Sequence, residues 1–285
     1  MTVQSEGRYL DDVLKFEEED MRSREAIVVA SGENLLCGQV VGAITKVLGT
    51  AVGPTGTGGG TIGSISLGAE AKIGTYTLTC IAAASGAGTF EVADPDGITL
   101  SQATVGVAYT SPQINFTIAD GTPDFAVGAY FTIPVTAGSQ KAKKIAWTAV
   151  DGTQDAAGII TSDCDASGGD KGAVAVVREA AVAKQGLRWP VAFTSGGTYE
   201  VKAGMTITGA TSTKTAKVVR VDLAAGTWAG GDAAGTFIVE ALSGDFQAEN
   251  VDVGTNSNVA TVALTKSAAA LARLAAQAIT TRKEV

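Results

Sequence analysis

Alternating apolar and polar residues mark the middle of the chain. The segments Ile114–Ile118 and Tyr130–Ile133 alternate at every residue, which is the pattern of a strand with one buried face. Turn sequences such as Asp94-Pro-Asp-Gly97 separate such segments, and candidate strands recur at intervals of about 8–12 residues. This pattern predicts a small β-sandwich or barrel between Thr75 and Val135.

A second β-rich block lies between Tyr199 and Leu264, and shorter apolar segments flank both blocks. The additional predicted strands are Ala26–Ala30, Gln39–Thr45, Ala173–Arg178, Met205–Thr208, Ala216–Leu223, Gly235–Leu242 and Val259–Leu264. Most of the folded chain is therefore predicted to be β-structure.

A helical period is convincing only at the end of the chain. Ser267 is a good N-cap residue, and the apolar residues after it are spaced to lie on one face of a helix. These residues are Leu271, Leu274, Ala275, Ala278 and Ile279. Arg282 and Lys283 are expected in the last turn, where positive charge favours the helix dipole. The sequence thus predicts a short amphipathic C-terminal helix.

Two segments show neither pattern. Residues 1–25 are densely charged across Lys15–Glu25 and contain too few apolar residues to fold alone, which indicates an extended or mobile arm. Gly49–Gly63 consists mostly of Gly and Thr, a composition typical of a linker.

Composition excludes several classes of function. Of the 285 residues, 36 are Gly, nearly twice the usual share of about 7%. The absence of histidine excludes catalytic triads, Cys-His dyads and His-based zinc hydrolases. A net charge of −8 with 21 basic residues argues against nucleic-acid binding. No stretch is apolar enough to span a membrane, and the polar, acidic N-terminus does not resemble a signal peptide.

Two short motifs imitate ligand-binding loops. Thr57-Gly-Gly-Gly60 resembles a phosphate-binding loop, but no Gly-Lys-Ser/Thr follows it, so a flexible linker is favoured. Asp163–Gly168 places oxygens and a glycine like the start of a calcium loop, but position twelve is Val174 and not Glu. An acidic turn is therefore favoured. The three cysteines, Cys37, Cys80 and Cys164, form no metal or disulfide pattern and are expected to be reduced.

Other side chains that could carry chemistry have simpler interpretations. The acidic run Glu17–Asp20 is favoured as a solvated charge cluster, because acid–base pairs need a dry, fixed site. Trp189 and Trp228 could stack on sugars, but anchoring in a core or loop is favoured. We therefore expect no enzyme activity, and no catalytic, cofactor-binding or metal-binding site.

Several short segments occur in an order that resembles the lambda-type bacteriophage head decoration protein family. They are Arg8-Tyr9-Leu10, Ser23-Arg24-Glu25, Ile27–Val29, Gly38–Gly42, Asp151–Gln154, Ala157–Ile160, Asp165–Asp170, Ala173–Arg178, Leu187–Pro190 and Leu271–Ile279. No single segment is specific, and the resemblance rests on their order. It covers roughly one small domain's length of chain.

The resemblance implies a discontinuous domain organisation. The expected fold is mainly β with a short C-terminal helix: a small β-rich (α+β) decoration core interrupted by two inserted β-sandwich or barrel-like modules. The expected divisions are a capsid-binding arm at 1–25, a core formed by 26–49, 140–190 and 267–285, one module at 50–139 and another at 191–266. Insertions in surface loops are thermodynamically cheap, which makes this organisation physically reasonable.

The resemblance also implies a function. Family members are trimers that bind three-fold and quasi-three-fold positions of the expanded phage head, and their N-terminal arm adds strand pairing to the major capsid protein. Here Ala26–Ala30 is expected to be available for such pairing. The residues expected to contact the capsid are Arg8, Tyr9, Leu10, Phe16, Arg22, Ser23, Arg24, Ile27 and Val29.

The expected partners are therefore the major capsid protein and other copies of this chain, without nucleic acid, membrane or cofactor. The expected location is the outer surface of the virion, after synthesis in the host cytoplasm. The alternative is a virion-surface adhesin that binds a host glycan or receptor through the inserted β modules.

Overall fold

A computed structural model describes residues 10–18 and 22–282 of the chain, and it is mainly β-structure. The chain forms two compact units. One contains the described residues within Met1–Ala43, Gln140–Thr148 and Thr153–Val285, and the other contains Ile44–Ser139 and Ala149–Gly152. The predicted fold class, mainly β with a short C-terminal helix, is confirmed.

The first unit contains strands from both ends of the chain. Its strands are β1 Leu14–Glu17, β2 Arg24–Val29, β3 Asn34–Leu35, β4 Val40–Ala43, β14 Ala142–Lys144, β15 Gly158–Ile160, β16 Cys164–Asp165, β17 Lys171–Val176, β18 Ala180–Ala183, β19 Trp189–Gly196, β20 Thr206–Gly209, β21 Thr215–Ala225, β22 Ala233–Glu240, β23 Glu249–Val253, β24 Asn256–Val262 and β25 Ile279–Arg282. Its helices are the 3₁₀ turns Leu10–Asp12 and Lys184–Gly186 and the α-helix α1, Ser267–Ala276.

Two closed barrels dominate the first unit. The smaller has the strand order β14-β2-β17-β15-β4 and surrounds a core of small residues that includes Val29, Val41 and Ala175. The larger has the order β19-β22-β21-β20-β23-β24, and its core contains a stack of Trp228, Phe193 and Phe237. Closure leaves few exposed strand edges on either barrel.

The larger barrel does not have a core of its own. Its buried residues belong to one hydrophobic cluster that also includes residues near both chain ends, such as Val13, Leu274 and Ile279. The inserted module expected at 191–266 therefore packs on the rest of the first unit. The domain boundaries given above stay a prediction.

The second unit is a two-sheet β structure with a separate core. Its strands are β5 Lys46–Leu48, β6 Val52–Thr55, β7 Thr61–Leu67, β8 Gly74–Ala82, β9 Thr89–Ala93, β10 Ala103–Thr104, β11 Ala108–Tyr109, β12 Ile114–Ala119 and β13 Tyr130–Ala137. One sheet has the order β10-β9-β8-β13-β5, with β6 also pairing β13, and the other has the order β11-β12-β7. Phe90, Phe125 and Phe131 pack together in the core.

The Gly-rich segment expected to be a linker is instead part of this second unit. Strand β6 lies within it and β7 begins in it, and the backbone between these strands packs closely on neighbouring chain. A Cβ atom at Gly59 would lie 2.2 Å from the carbonyl oxygen of Thr122, and the Gly59 N–H donates to Pro123 O. The linker interpretation is wrong because these glycines permit close backbone approach and do not provide flexibility.

The C-terminal helix is present but shorter than expected. It ends at Ala276, and Ala278 adopts a left-handed φ of 58°, after which Ile279–Arg282 forms strand β25. Ile279 and Arg282 are therefore not helical, because pairing with β18 and the β-branched Thr280 and Thr281 favour a strand. Lys283 lies outside the described residues.

The start of this helix also differs from the expectation. Ser267 is its first residue and not its N-cap, which is Lys266. The carboxylate of Asp245 accepts hydrogen bonds from the backbone N–H groups of Ser267 and Ala268 and so takes the capping role from a distant loop.

Cys37, Cys80 and Cys164 are all buried and not disulfide-bonded. Across the ranges 10–18 and 22–282, no helix has the length and apolar character that a membrane span requires.

Candidate functional site

The N-terminal segment enters the fold through a three-stranded sheet that also contains the C-terminal strand. Strand β18 lies in the middle, with β1 antiparallel on one side and β25 parallel on the other. Val13, just before β1, is buried in the main cluster, and its carbonyl accepts the N–H of Ala183 at 2.7 Å. Val13 and β1 are thus fixed to the rest of the first unit.

A polar network links the end of β1, the start of β2 and the chain next to β18. Ser23 is fully buried, and its hydroxyl accepts the N–H of Glu18 at 3.1 Å and donates to Glu179 O at 2.6 Å. Arg24 forms a bidentate pair with Glu17, with Nε–Oε2 and Nη2–Oε1 distances of 2.7 and 2.6 Å. The carbonyl of Arg22 accepts a hydrogen bond from Arg178 at 3.2 Å.

Strand β2 has a buried and an exposed face. Val29 is fully buried in the small barrel and Ile27 packs against that core, whereas Val28 is 46% exposed. All six residues of β2 pair with β17 along one edge. Along the other edge, the recorded pair within the described chain is Val29 with Ala142 of β14.

The structure brings most of the predicted capsid-contact residues together, but not in a free arm. Arg8 and Tyr9 lie outside the described residues. Leu10 is half-buried in a 3₁₀ turn, and Phe16 is 55% exposed on β1. Arg22, Ser23, Arg24, Ile27 and Val29 are held by the contacts given above. The N-terminal segment is therefore partly extended in the ranges 10–18 and 22–25. It is held against the rest of the first unit because Val13 and Ser23 are buried anchors.

Sequence reasoning missed these anchors and their partners. Val13 is one of the few apolar residues before the charged run, and Glu179 is distant in sequence, so neither indicated its partner. The pair Glu17 and Arg24 carried a weak signal, since opposite charges lie seven residues apart in sequence.

The expected strand Ala26–Ala30 is likewise part of a barrel. It is observed as Arg24–Val29, and one of its edges is already occupied by β17. An added strand would therefore have to pair with its other edge, where Arg24–Val28 has no strand partner among the described residues.

The side chains considered for ligand chemistry have structural roles. Trp189 and Trp228 are buried, and Trp228 stacks on Phe193 with a centroid distance of 5.4 Å, so neither ring offers a face to a sugar. Asp163 accepts the N–H of Cys37, and Asp165 accepts that of Ser167, as expected for an acidic turn. Among the residues that the structure describes, no acidic or cysteine cluster could hold a metal ion.

The strongest electrostatic cluster lies in the second unit. The ammonium of Lys72 lies 2.6 Å from a carboxylate oxygen of Asp94 and 2.6 Å from one of Asp96. The hydrogen bond from Lys72 lowers the pKa of Asp94 to about 2, with further hydrogen bonds from Ile98, Gln113 and Asp96. The same bonds to Asp94 and Asp96 raise the pKa of Lys72. The cluster fixes the loop after β9 and shows no open coordination site.

Comparison with known proteins decides the family. The family model described as "Bacteriophage lambda head decoration protein D" matches residues 3–205. The chain belongs to this head decoration protein family. No curated protein and no solved structure matches it.

Membership in the head decoration protein family makes the protein a component of the phage head, and the family is structural and not catalytic. The matched range includes the small barrel and the second unit and ends in the larger barrel. The resemblance noted for Leu271–Ile279 therefore lies beyond the match and stays a prediction.

Proposed function

We propose that the protein cements the expanded phage head from its outer surface. In this proposal it is made in the host cytoplasm and assembles as a homotrimer at three-fold and quasi-three-fold positions. Its N-terminal arm adds strand pairing to the major capsid protein. The observation that carries the proposal is the match to the head decoration family, which begins within the N-terminal segment.

The geometry of the first unit supports a role for the N-terminal segment in this binding. The described chain starts at Leu10, beside β1, and β1 is an edge strand of its sheet in the described structure. The nine residues before Leu10 can extend by up to about 30 Å, which is long enough to reach a neighbouring protein. The outer edge of such a strand is a suitable site for strand addition.

Truncation of this segment tests the arm mechanism. We expect a variant lacking residues 2–9 to fold like the full chain, because the buried anchors begin at Val13, and to lose binding to expanded heads. Co-sedimentation with expanded heads measures the binding, and urea unfolding confirms the fold. A longer deletion through residue 25 is a poor test, because it removes β1 and the start of β2.

The matched control replaces residues 2–9 with a Gly/Ser segment of equal length. This segment can span the same distance but lacks the native side chains. Both variants should fail to bind. Full binding by either variant would contradict the arm mechanism while leaving family membership intact.

Binding of a host glycan or receptor is the second candidate, and one surface of the second unit favours it. Tyr130 is 38% exposed on β13, and its cross-strand neighbour is Thr79, while Thr132 faces Thr77. An exposed aromatic ring among hydroxyl groups is suited to sugar stacking. The candidate predicts glycan-array binding that Tyr130→Ala abolishes, and absence of binding by the native protein would contradict it.

A further inference from the structure

The sheet formed by both ends of the chain has a face on which Phe16, one of the predicted capsid-contact residues, is exposed. Phe16 of β1 faces Ala181 of β18, and Ala181 faces Thr280 of β25, so these three residues form one row across the sheet. Ala181 is itself only 2% exposed, and a groove of about 230 Å³ lies beside the exposed ring of Phe16.

The groove has opposite charges at its two ends. Glu18 and Glu179 line one end, and Arg282 lines the other, next to Ala183 in the strand register. Ala183 follows Glu179 by four positions, so the two ends are about 13 Å apart along the strand. All three charged side chains are exposed, and none forms an ion pair within the described chain.

The position of Glu179 is also unusual. It has a φ of 45°, a left-handed conformation that costs a residue with a Cβ atom some energy. A glycine or asparagine would relieve this cost, but the chain places a carboxylate at the end of the groove.

We propose that this face is a self-complementary contact between two copies of the chain. A two-fold axis across the strands, through the row of Phe16, would bring the acidic end of each face onto the basic end of the other. It would also place the two Phe16 rings against each other at the axis. A two-fold axis along the strands would instead oppose acid to acid, so the charge pattern selects one arrangement.

The size of the face sets the strength of the contact. Three strands about 4.8 Å apart and about 13 Å long form a face with an area on the order of 200 Å² per copy. This area is well below the roughly 800 Å² of surface that each partner buries in a stable complex. The contact is therefore weak between free molecules. It becomes effective where copies are held close together, as on a shell, and there it would join neighbouring trimers.

Disulfide trapping with the purified protein tests this arrangement. Phe16→Cys places a thiol at the proposed axis, and diamide oxidises two such thiols to a disulfide and takes up their two electrons and two protons. The native cysteines are buried and should not react. The matched control is Leu223→Cys on β21, a position of similar exposure outside the groove. We expect faster cross-linking of Phe16→Cys, giving dimers of the chain.

Charge variants in the Phe16→Cys background test the orientation. Arg282→Glu should slow cross-linking about two- to fivefold at low salt. Adding Glu179→Arg should restore the rate, because the swapped ends are again complementary. Both effects should largely disappear in 1 M salt.

The proposal is overturned if Phe16→Cys cross-links no faster than Leu223→Cys, or if the charge swap is slower than the single reversal. It is also overturned if Phe16→Glu abolishes head binding while Phe16→Cys shows no self-cross-linking, which would assign the face to the shell. The experiment uses protein alone, so its failure leaves the proposed head binding untouched.

Discussion

At the scale of single residues, the ionic cluster around Asp94 makes the second unit sensitive to acid. The pKa of Asp94 is about 2 in the folded chain and 3.8 ordinarily, so the fold favours the carboxylate. The stability from this group is complete above about pH 4 and is lost as the pH falls toward 2. The stability that Lys72 contributes depends on pH in the opposite direction. It is complete below the ordinary pKa of 10.5 and is lost only at higher pH.

Replacing Asp94 tests this assignment. Asp94→Asn should lower the Tm of the second unit by a few degrees at pH 7 and flatten its Tm profile between pH 4 and pH 2. Asp96→Asn is the matched control, because that side chain is 66% exposed and its loss leaves the Lys72–Asp94 pair intact. Scanning calorimetry across this pH range measures both. An unchanged acid profile in Asp94→Asn would contradict the assignment.

At the scale of elements, local sequence patterns predicted the strands better than their connections. The alternation in Ile114–Ile118 and Tyr130–Ile133 corresponds to β12 and β13, because one face of each strand is buried. The helical period failed at Ile279, where pairing with β18 overrides a pattern that also suits a strand. The linker prediction at Gly58–Gly60 was wrong for a related reason. Composition alone does not distinguish a flexible glycine from a glycine that close packing requires.

The same limit applies to the candidate site. Charge density indicated a separate N-terminal arm, which stays a prediction, and the order of segments identified the family. The anchoring of that segment depends on Val13, Ser23 and their partners in β18 and the residue before it, which are far away in sequence. Long-range contacts of this kind leave no local pattern, so the sequence did not predict that residues 10–18 pair with the rest of the first unit.

At the scale of the whole molecule, the chain passes from the first unit to the second after Ala43 and returns to the first at Gln140. Ala43 at the end of β4 faces Ala142 at the start of β14, so the two ends of the segment Ile44–Ser139 lie beside adjacent antiparallel strands. The first unit could therefore be closed by a short hairpin turn in place of residues 45–139.

This connection predicts that the second unit is dispensable for folding and for head binding. A variant with Asn-Gly in place of residues 45–139 should unfold cooperatively and co-sediment with expanded heads like the full chain. The same variant carrying Val41→Asp, which buries a charge in the small barrel, is the control for a misfolded product. A soluble, folded deletion variant that does not bind heads would place the binding surface in the second unit.

The central claim is that this member of the head decoration family binds the expanded shell. Electron cryo-microscopy of heads that lack decoration, before and after adding the purified protein, tests it most directly. We expect new density over the three-fold and quasi-three-fold positions of expanded heads and none on unexpanded heads. Expanded heads that gain no density, or gain it only at other positions, would contradict it.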